Sequence, residues 1–411
     1  MTPVITSGTS SGMTAPDDPA ATWLARHGDE LIAFRRQLHA HPELGREEHG
    51  TTDLVANRLS AEGLNPRLLP VGSGLWCDIG GDGDGGGQPP EVLLRADLDA
   101  LPLDDEKDVP YRSTVPGVCH ACGHDVHTSV LLGAGLALAE LAERDGLPGR
   151  VRLVFQPAEE MMPGGALDVL RAGLVTGGRY VFALHCDPSI EVGTVGLKVG
   201  PITAAADKID LHLSGPGGHT SRPQNTVDLI NALSRVVADL PAALTRVIDP
   251  RSAMTLVWGM ISAGSAPNAI PRTGLAKGTL RMLDHEAWQV APEVVHRLAT
   301  ELAAPYGATA RVDYHRGVPP VVNSGSAVAV LQAAAHRALP AGAVVPTRQS
   351  LGGEDFGWYL EHVPGAMARL GVRPAGGAAY DLHQGGFDVD EDCIAVGVRL
   401  MVATALEALR D

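Results

Sequence analysis

Two thiols, three imidazoles and a carboxylate fall within the nine residues Cys119-His120-Ala121-Cys122-Gly123-His124-Asp125-Val126-His127. Thiolate and imidazole suit zinc and neighbouring transition metals. A C-x2-C pair can also cycle as a redox dithiol, and buried cysteines can simply pack. A structural zinc site needs a second pair at matching spacing, which Cys77, Cys186 and Cys393 do not supply. The next chemical segment is Gln156-Pro157-Ala158-Glu159-Glu160. Adjacent side chains at a strand end point in different directions, so one carboxylate can face a metal and its neighbour a water. Acids with divided roles are what metal-assisted hydrolysis requires. Taken alone, a Glu-Glu pair is usually a solvated loop. His185 in Phe182–Pro188 and His383 in Asp381–Phe387 are, in isolation, more often structural histidines than ligands. Arg95-Ala96-Asp97-Leu98-Asp99 and Gly352-Gly353-Glu354-Asp355-Phe356 add buried-strand and loop acids. Six of the twelve residues from Asp97 to Asp108 are acidic; most are expected on a loop surface, with Asp97 ending a buried strand.

These groups need a scaffold. Leu24, Leu31 and Leu38 recur every seven residues, and Leu54, Val55 and Leu59 continue a helical pattern up to Gly63. Val92–Leu94, Val151–Phe155 and Tyr180–Leu184 read as buried parallel strands, with a helix over Asp125–Glu143 between the first two. From residue 202 to 317 the pattern changes. Ile209, Leu211 and Leu213 alternate, a helix follows over Val227–Leu240, and Met254–Met260 and Leu275–Leu283 are strand-like. A helix over Glu286–Leu302, kinked or started late by Pro292, and a strand over Arg311–His315 complete a β-α-β-β-α-β order, the ferredoxin-like split motif. The expected class is α/β: a catalytic domain over 21–201 and 318–411, with a mostly parallel sheet between helices, and an inserted α+β domain over 202–317. A final helix over Glu391–Leu409 packs back on the sheet. Residues 1–20 read as a disordered tail and Gly80–Pro90 as an exposed loop.

Composition narrows the function. The 411 residues carry 32 Lys plus Arg against 48 Asp plus Glu, a formal charge of −16, which disfavours nucleic acid. The apolar run Val130–Ala142 is broken by Gly133, Gly135 and Glu140, so no membrane span is expected. The N-terminus has neither the basic nor the apolar region of a secretory signal. Five cysteines, an odd number, point to a reducing, cytoplasmic setting rather than a disulfide framework.

The ordered set FRRQLHAHPELG, RADLDALP, HACGHDVHT, FQPAEE, ALHCDP, GGHTSRP, NAIPR, GTLR and GGEDF resembles the amidohydrolase branch of the co-catalytic metallopeptidase clan. That branch includes hippurate hydrolase, N-acyl-amino-acid amidohydrolases and hydrolases of auxin–amino acid conjugates. The resemblance runs from Phe34 to His383. It implies a catalytic domain of metallopeptidase type and an inserted lid that pairs subunits into a homodimer or higher homo-oligomer. It implies two divalent ions (Zn, Mn, Co or Ni) on Cys122, His124, Glu160, His185 and His383, with Cys122 where the wider clan places a bridging aspartate. Glu159 matches the general base. Arg95 stands where the wider clan carries a metal histidine, and Asp97 matches a catalytic aspartate beside the ligands. His219 and Asn268 look like transition-state or substrate-positioning groups, and Arg281 like the holder of a substrate carboxylate, with Gly353 also lining the substrate site.

The implied reaction is hydrolysis of the amide bond of N-acyl amino acids. Two metals held by these residues would polarise the carbonyl and make a bound water more acidic, while Glu159 would move the proton. A dipeptidase or aminoacyl-peptide hydrolase is the alternative, and a metal-binding or thiol-redox protein the distant one.

Overall fold

The computed structural model describes residues 18–81 and 91–411. The expected tail over 1–17 and the expected loop over 82–90 lie outside the described residues. Residues 18–20 do not continue the tail. Asp18 caps a helix, Pro19–Ala40, by accepting from the Ala21 amide at 3.0 Å. Pro19 suits the first helical position because it has no amide to leave unpaired.

The central sheet has eight strands in the order Arg67–Leu68, Leu75–Ile79, Val151–Gln156, Val92–Asp97, Tyr180–Glu191, Gly365–Arg373, Val195–Leu197, Val344–Pro346. The four central strands run parallel. They are buried on both faces, which is why three of them read as unbroken apolar runs. The parallel arrangement is confined to this centre and to the last pair. The pairings that bring in Arg67–Leu68, Leu75–Ile79 and Val195–Leu197 are antiparallel.

Helices Pro19–Ala40, His124–Asp145, Gly325–Ala338 and Asp392–Ala408 cover one face of the sheet; the short helices Ala166–Arg171 and Gly357–Leu360 lie on the other. His124–Asp145 is long and apolar enough to cross a membrane by length and composition, yet most of it is buried in the protein. The glycines that interrupt its apolar run serve packing: a Cβ on Gly133 would stand 2.6 Å from Leu31.

The segment between the two halves forms a separate four-stranded antiparallel sheet in the order Thr255–Ala263, Thr273–Met282, Ala205–Ser214, Thr309–Val318. Helices Leu229–Val247 and His285–Ala303 share its core. The chain order is β-α-β-β-α-β, and the second helix runs through Pro292 rather than starting at it.

Candidate metal centre

The cluster residues come from a helix start, a strand, and the turns and loops beside them. Gly123, at φ 86°, makes the turn that separates Cys122 from the helix beginning at His124. A Cβ there would lie 2.7 Å from the Cys186 sulfur, so the turn needs glycine for both conformation and space. After strand Val151–Gln156 the chain reverses at Ala158, φ 55°, and delivers Glu159 and Glu160. His185 lies on strand Tyr180–Glu191. The loop bearing His383 is tied to the cysteine turn by the His383 amide, which donates to the Ala121 carbonyl at 2.8 Å.

The five expected ligands converge. Cys122, His124 and His185 place ligand atoms within 4.8 Å of one another. So do Cys122, Glu160 and His383, and so do His124, Glu159 and Glu160. Cys122 thus belongs to two of these triads, and so does Glu160. Its sulfur is 3.6 Å from His185 Nε2, and His383 Nε2 is 3.2 Å from Glu160 Oε1. His185 Nδ1 donates to the Cys186 carbonyl at 2.8 Å, which leaves Nε2 with its lone pair for the cluster. Among the described residues, neither ring nitrogen of the buried His124 has a hydrogen-bond partner; Asp99 and Asp97 stand 3.4 and 3.8 Å away. Buried polar atoms are seldom left so. Sulfur, imidazole and carboxylate donors converging around orphaned nitrogens fit two divalent ions of the zinc type.

Electrostatics agree. Burial works against a charged His124, yet Asp97, Asp99 and Glu160 outweigh it and hold the imidazole up to about 10. Burial, then Glu160 and Glu159, push the Cys122 thiol well up. Burial, with Glu354 and Glu160 beside it, holds Glu159 well above the usual carboxylate range. The cavity therefore has more negative charge than its own cations balance.

Beneath the cluster lies a buried network. Arg95 is turned away from the ligands: it donates to Asp97 and Asp355, each at 2.7 Å, and to Gln156 Oε1 at 3.0 Å. Asp97 also accepts from His127 Nδ1 at 2.6 Å, and His127 Nε2 accepts from the Cys186 amide at 2.8 Å. Both oxygens of Asp97 are thus engaged below the site. The acidic run from Asp97 to Asp108 is not mostly surface. Asp97, Asp99 and Asp105 are buried because each meets donors; Asp105 faces His39, Lys107 and the Ser113 amide. Among the described residues, the buried His120 also has both ring nitrogens unpartnered.

Asp99 is a residue that sequence reasoning left without a role. Its two oxygens accept from the amides of Glu159 and Glu160 at 3.0 and 2.9 Å. The Asp-x-Asp spacing after a buried strand was its only signal. Asn at this position can accept only one of the two bonds. Asp99→Asn is expected to lower kcat roughly 10–100-fold while metal content and KM stay near wild type; metal analysis with steady-state kinetics checks it.

The remaining expected residues are placed elsewhere. His219 and Asn268 adjoin each other on the ribbon pairing Gly218–His219 with Ala269–Ile270, and both are exposed. Among the described residues, neither makes a hydrogen bond or ion pair with the cluster. His219 Nδ1 accepts from the Ser221 amide at 3.1 Å, which leaves the proton on Nε2 and that nitrogen a donor. Arg281 donates through Nη1 to the Leu351 carbonyl. Gly353 packs against the inserted sheet and the loop bearing Met162, where a Cβ would lie 2.9 Å from Ala206 Cβ and 3.0 Å from Met162 Cε.

Residues 93–407 match the family model of peptidase family M20/M25/M40. The chain belongs to that family. An M20-family crystal structure from Bacillus subtilis, described as a dinuclear metal binding peptidase, shares 32% identity and a TM-score of 0.80, covering 93% of this chain and 98% of that one. The N-acetyl-L-cysteine deacetylase of Bacillus subtilis is 38% identical over 365 residues, 89% of this chain and 85% of its own length. A Rhodococcus jostii protein named as a glutamate–cysteine ligase is 47% identical over 383 residues, 92% of this chain. The chain spans about half of that relative, 47% of its length, so the ligase name describes a protein more than twice as long as the match.

Proposed function

We propose that this M20-family chain is a two-metal amidohydrolase that cleaves N-acyl amino acids into a carboxylic acid and a free amino acid. The observation that carries this is one cysteine shared by two ligand triads, with the buried Glu159 beside them. The deacetylase relative acts on a compound of this class by its name, and the B. subtilis structure supports two ions. When bound, the ions supply carbonyl polarisation and a more acidic water. The chain supplies the rest. Cys122, His124, Glu160, His185 and His383 hold the ions. Glu159, kept proton-hungry by burial and its acidic neighbours, takes a proton from the attacking water and passes it to the leaving amine. Asp97 and Asp99 fix the ligands and the Glu159 loop from beneath.

His219 and Asn268 serve as donors to the reacting carbonyl from the inserted domain, by closure or from a second subunit. A homodimer through that domain is supported by Val257, Met260 and Ile261, which stand exposed on its edge strand Thr255–Ala263. Five free cysteines, one of them a ligand, support a cytoplasmic setting.

The test is a substrate panel after metal reconstitution. N-acetyl-L-cysteine and N-acetyl or N-benzoyl derivatives of other amino acids are expected to release free amino acid. Turnover of free dipeptides, with none of the acyl amino acids, would replace this reading with a dipeptidase.

A further inference from the structure

Arg369 lies on the central strand Gly365–Arg373, in parallel register with His185 on the neighbouring strand. Side chains in register on adjacent strands share a face of the sheet. The pair below it in the same register, Met367 and Ala183, confirms the face, since both belong to one core cluster. Arg369 therefore stands on the His185 side of the sheet. Only 6% of it is exposed. Its register partner His185 is one of the expected ligands, which places Arg369 next to the cluster, and Asp187, Glu354, Cys122 and Cys186 are among the groups whose charge it feels.

Among the described residues, the Arg369 guanidinium makes no hydrogen bond and no ion pair. Other buried arginines are committed: Arg35 to Asp125, Arg95 to Asp97 and Asp355, Arg152 to Asp78. The acids near Arg369 are themselves engaged. Asp187 Oδ1 accepts from the Ser189 amide and hydroxyl, and Glu354 accepts from the Phe356 amide and faces Arg95 at 3.3 Å. A guanidinium does not shed its proton inside a protein. No Arg369 nitrogen is among the fully enclosed, unpartnered atoms, so its fork reaches open space, where an arriving anion can pair with it.

We infer that Arg369 receives a carboxylate of the substrate through its planar fork of donors. This rests on the acyl-amino-acid reading and names the group that would select for charge. Arg281, the other arginine considered for this task, is half-buried on the inserted domain and already donates to Leu351. The carboxylate has two chemical sources: the α-carboxylate of the amino acid, or an acid at the far end of the acyl group.

The experiment compares the metal-loaded wild type, Arg369→Met and Arg369→Lys on N-acetyl-L-methionine, its carboxamide, and N-succinyl-L-methionine carboxamide. Wild type is expected to prefer an anionic substrate over the neutral carboxamide, and Arg369→Met to lose on the order of 100-fold of that preference in kcat/KM. Arg369→Lys, which keeps charge without the fork, is expected to fall between. A preference that collapses for N-acetyl-L-methionine assigns the α-carboxylate; one that collapses for the succinyl compound assigns the acyl side. Wild-type preference retained in Arg369→Met overturns the inference, as does loss of bound metal in that variant. If Arg369→Met does not fold, the lysine variant decides by the same ratio. A wild type inactive on all three compounds sinks the acyl-amino-acid reading itself, a result distinct from an active enzyme whose charge preference ignores Arg369.

Discussion

Glu159→Gln is expected to keep its metal ions and lose nearly all turnover, with kcat lower by roughly 10²–10⁴-fold, the usual share of a general base. The carboxylate is buried, and its loop is pinned by Asp99 through two amides and by Glu48, which accepts from the Ala158 amide at 2.6 Å. Glutamine fills the same space, so this pinning survives the change. What disappears is the ability to take and return a proton. Glu159 sits 4.0 Å from His124 Nε2, while the matching distance to Glu160, the acid grouped with Cys122 and His383, is also 4.0 Å. The two acids are equidistant from that ring, so distance alone does not divide their roles; the variant does. Unchanged metal content with abolished turnover assigns Glu159 to proton transfer. Loss of metal would make it a ligand, and full activity would end the proposed mechanism.

Cys122→Ala is expected to remove both ions and to cut activity at least as deeply. The sulfur is the one ligand atom that the Cys122-His124-His185 and Cys122-Glu160-His383 triads have in common. Deleting a ligand from only one triad, as in His383→Ala, should spare one equivalent of metal. The contrast between the two variants, read by metal analysis, is the sharpest test of a shared thiolate. Stability follows the same logic. A metal that binds only the folded chain stabilises it by mass action, so chelation is expected to lower the melting temperature of wild type. In Cys122→Ala the chelator should have little left to remove. The thiol is driven well up in the metal-free chain by burial and by Glu160 and Glu159, so it ionises only when a cation arrives. An equal chelator response in wild type and Cys122→Ala would exclude Cys122 as a ligand.

The sequence by itself determined the chemistry of the centre and the order of its elements. Cys122, His124, Glu159 and Glu160 sit in two short segments whose donor types already limit what they can do, and the β-α-β-β-α-β insertion shows as a local change of hydrophobic period. A helix start at Asp18-Pro19 was equally local, but a composition rich in small and polar residues hid it. The tertiary structure decided which polar groups are free and which are spent. Arg95 is spent on Asp355, 260 positions away, so it supports the centre from beneath rather than binding metal. Asp99 gained its task from amides about 60 residues on. Arg369 gained its place only through strand register with His185, and no motif surrounds it. Propensity and spacing act over a few residues, whereas burial, register and hydrogen-bond commitment are properties of the packed whole. For that reason the expected ligands could be named from the chain's motifs and their resemblance, whereas the groups packed beneath them and beside His185 emerged only when it was folded.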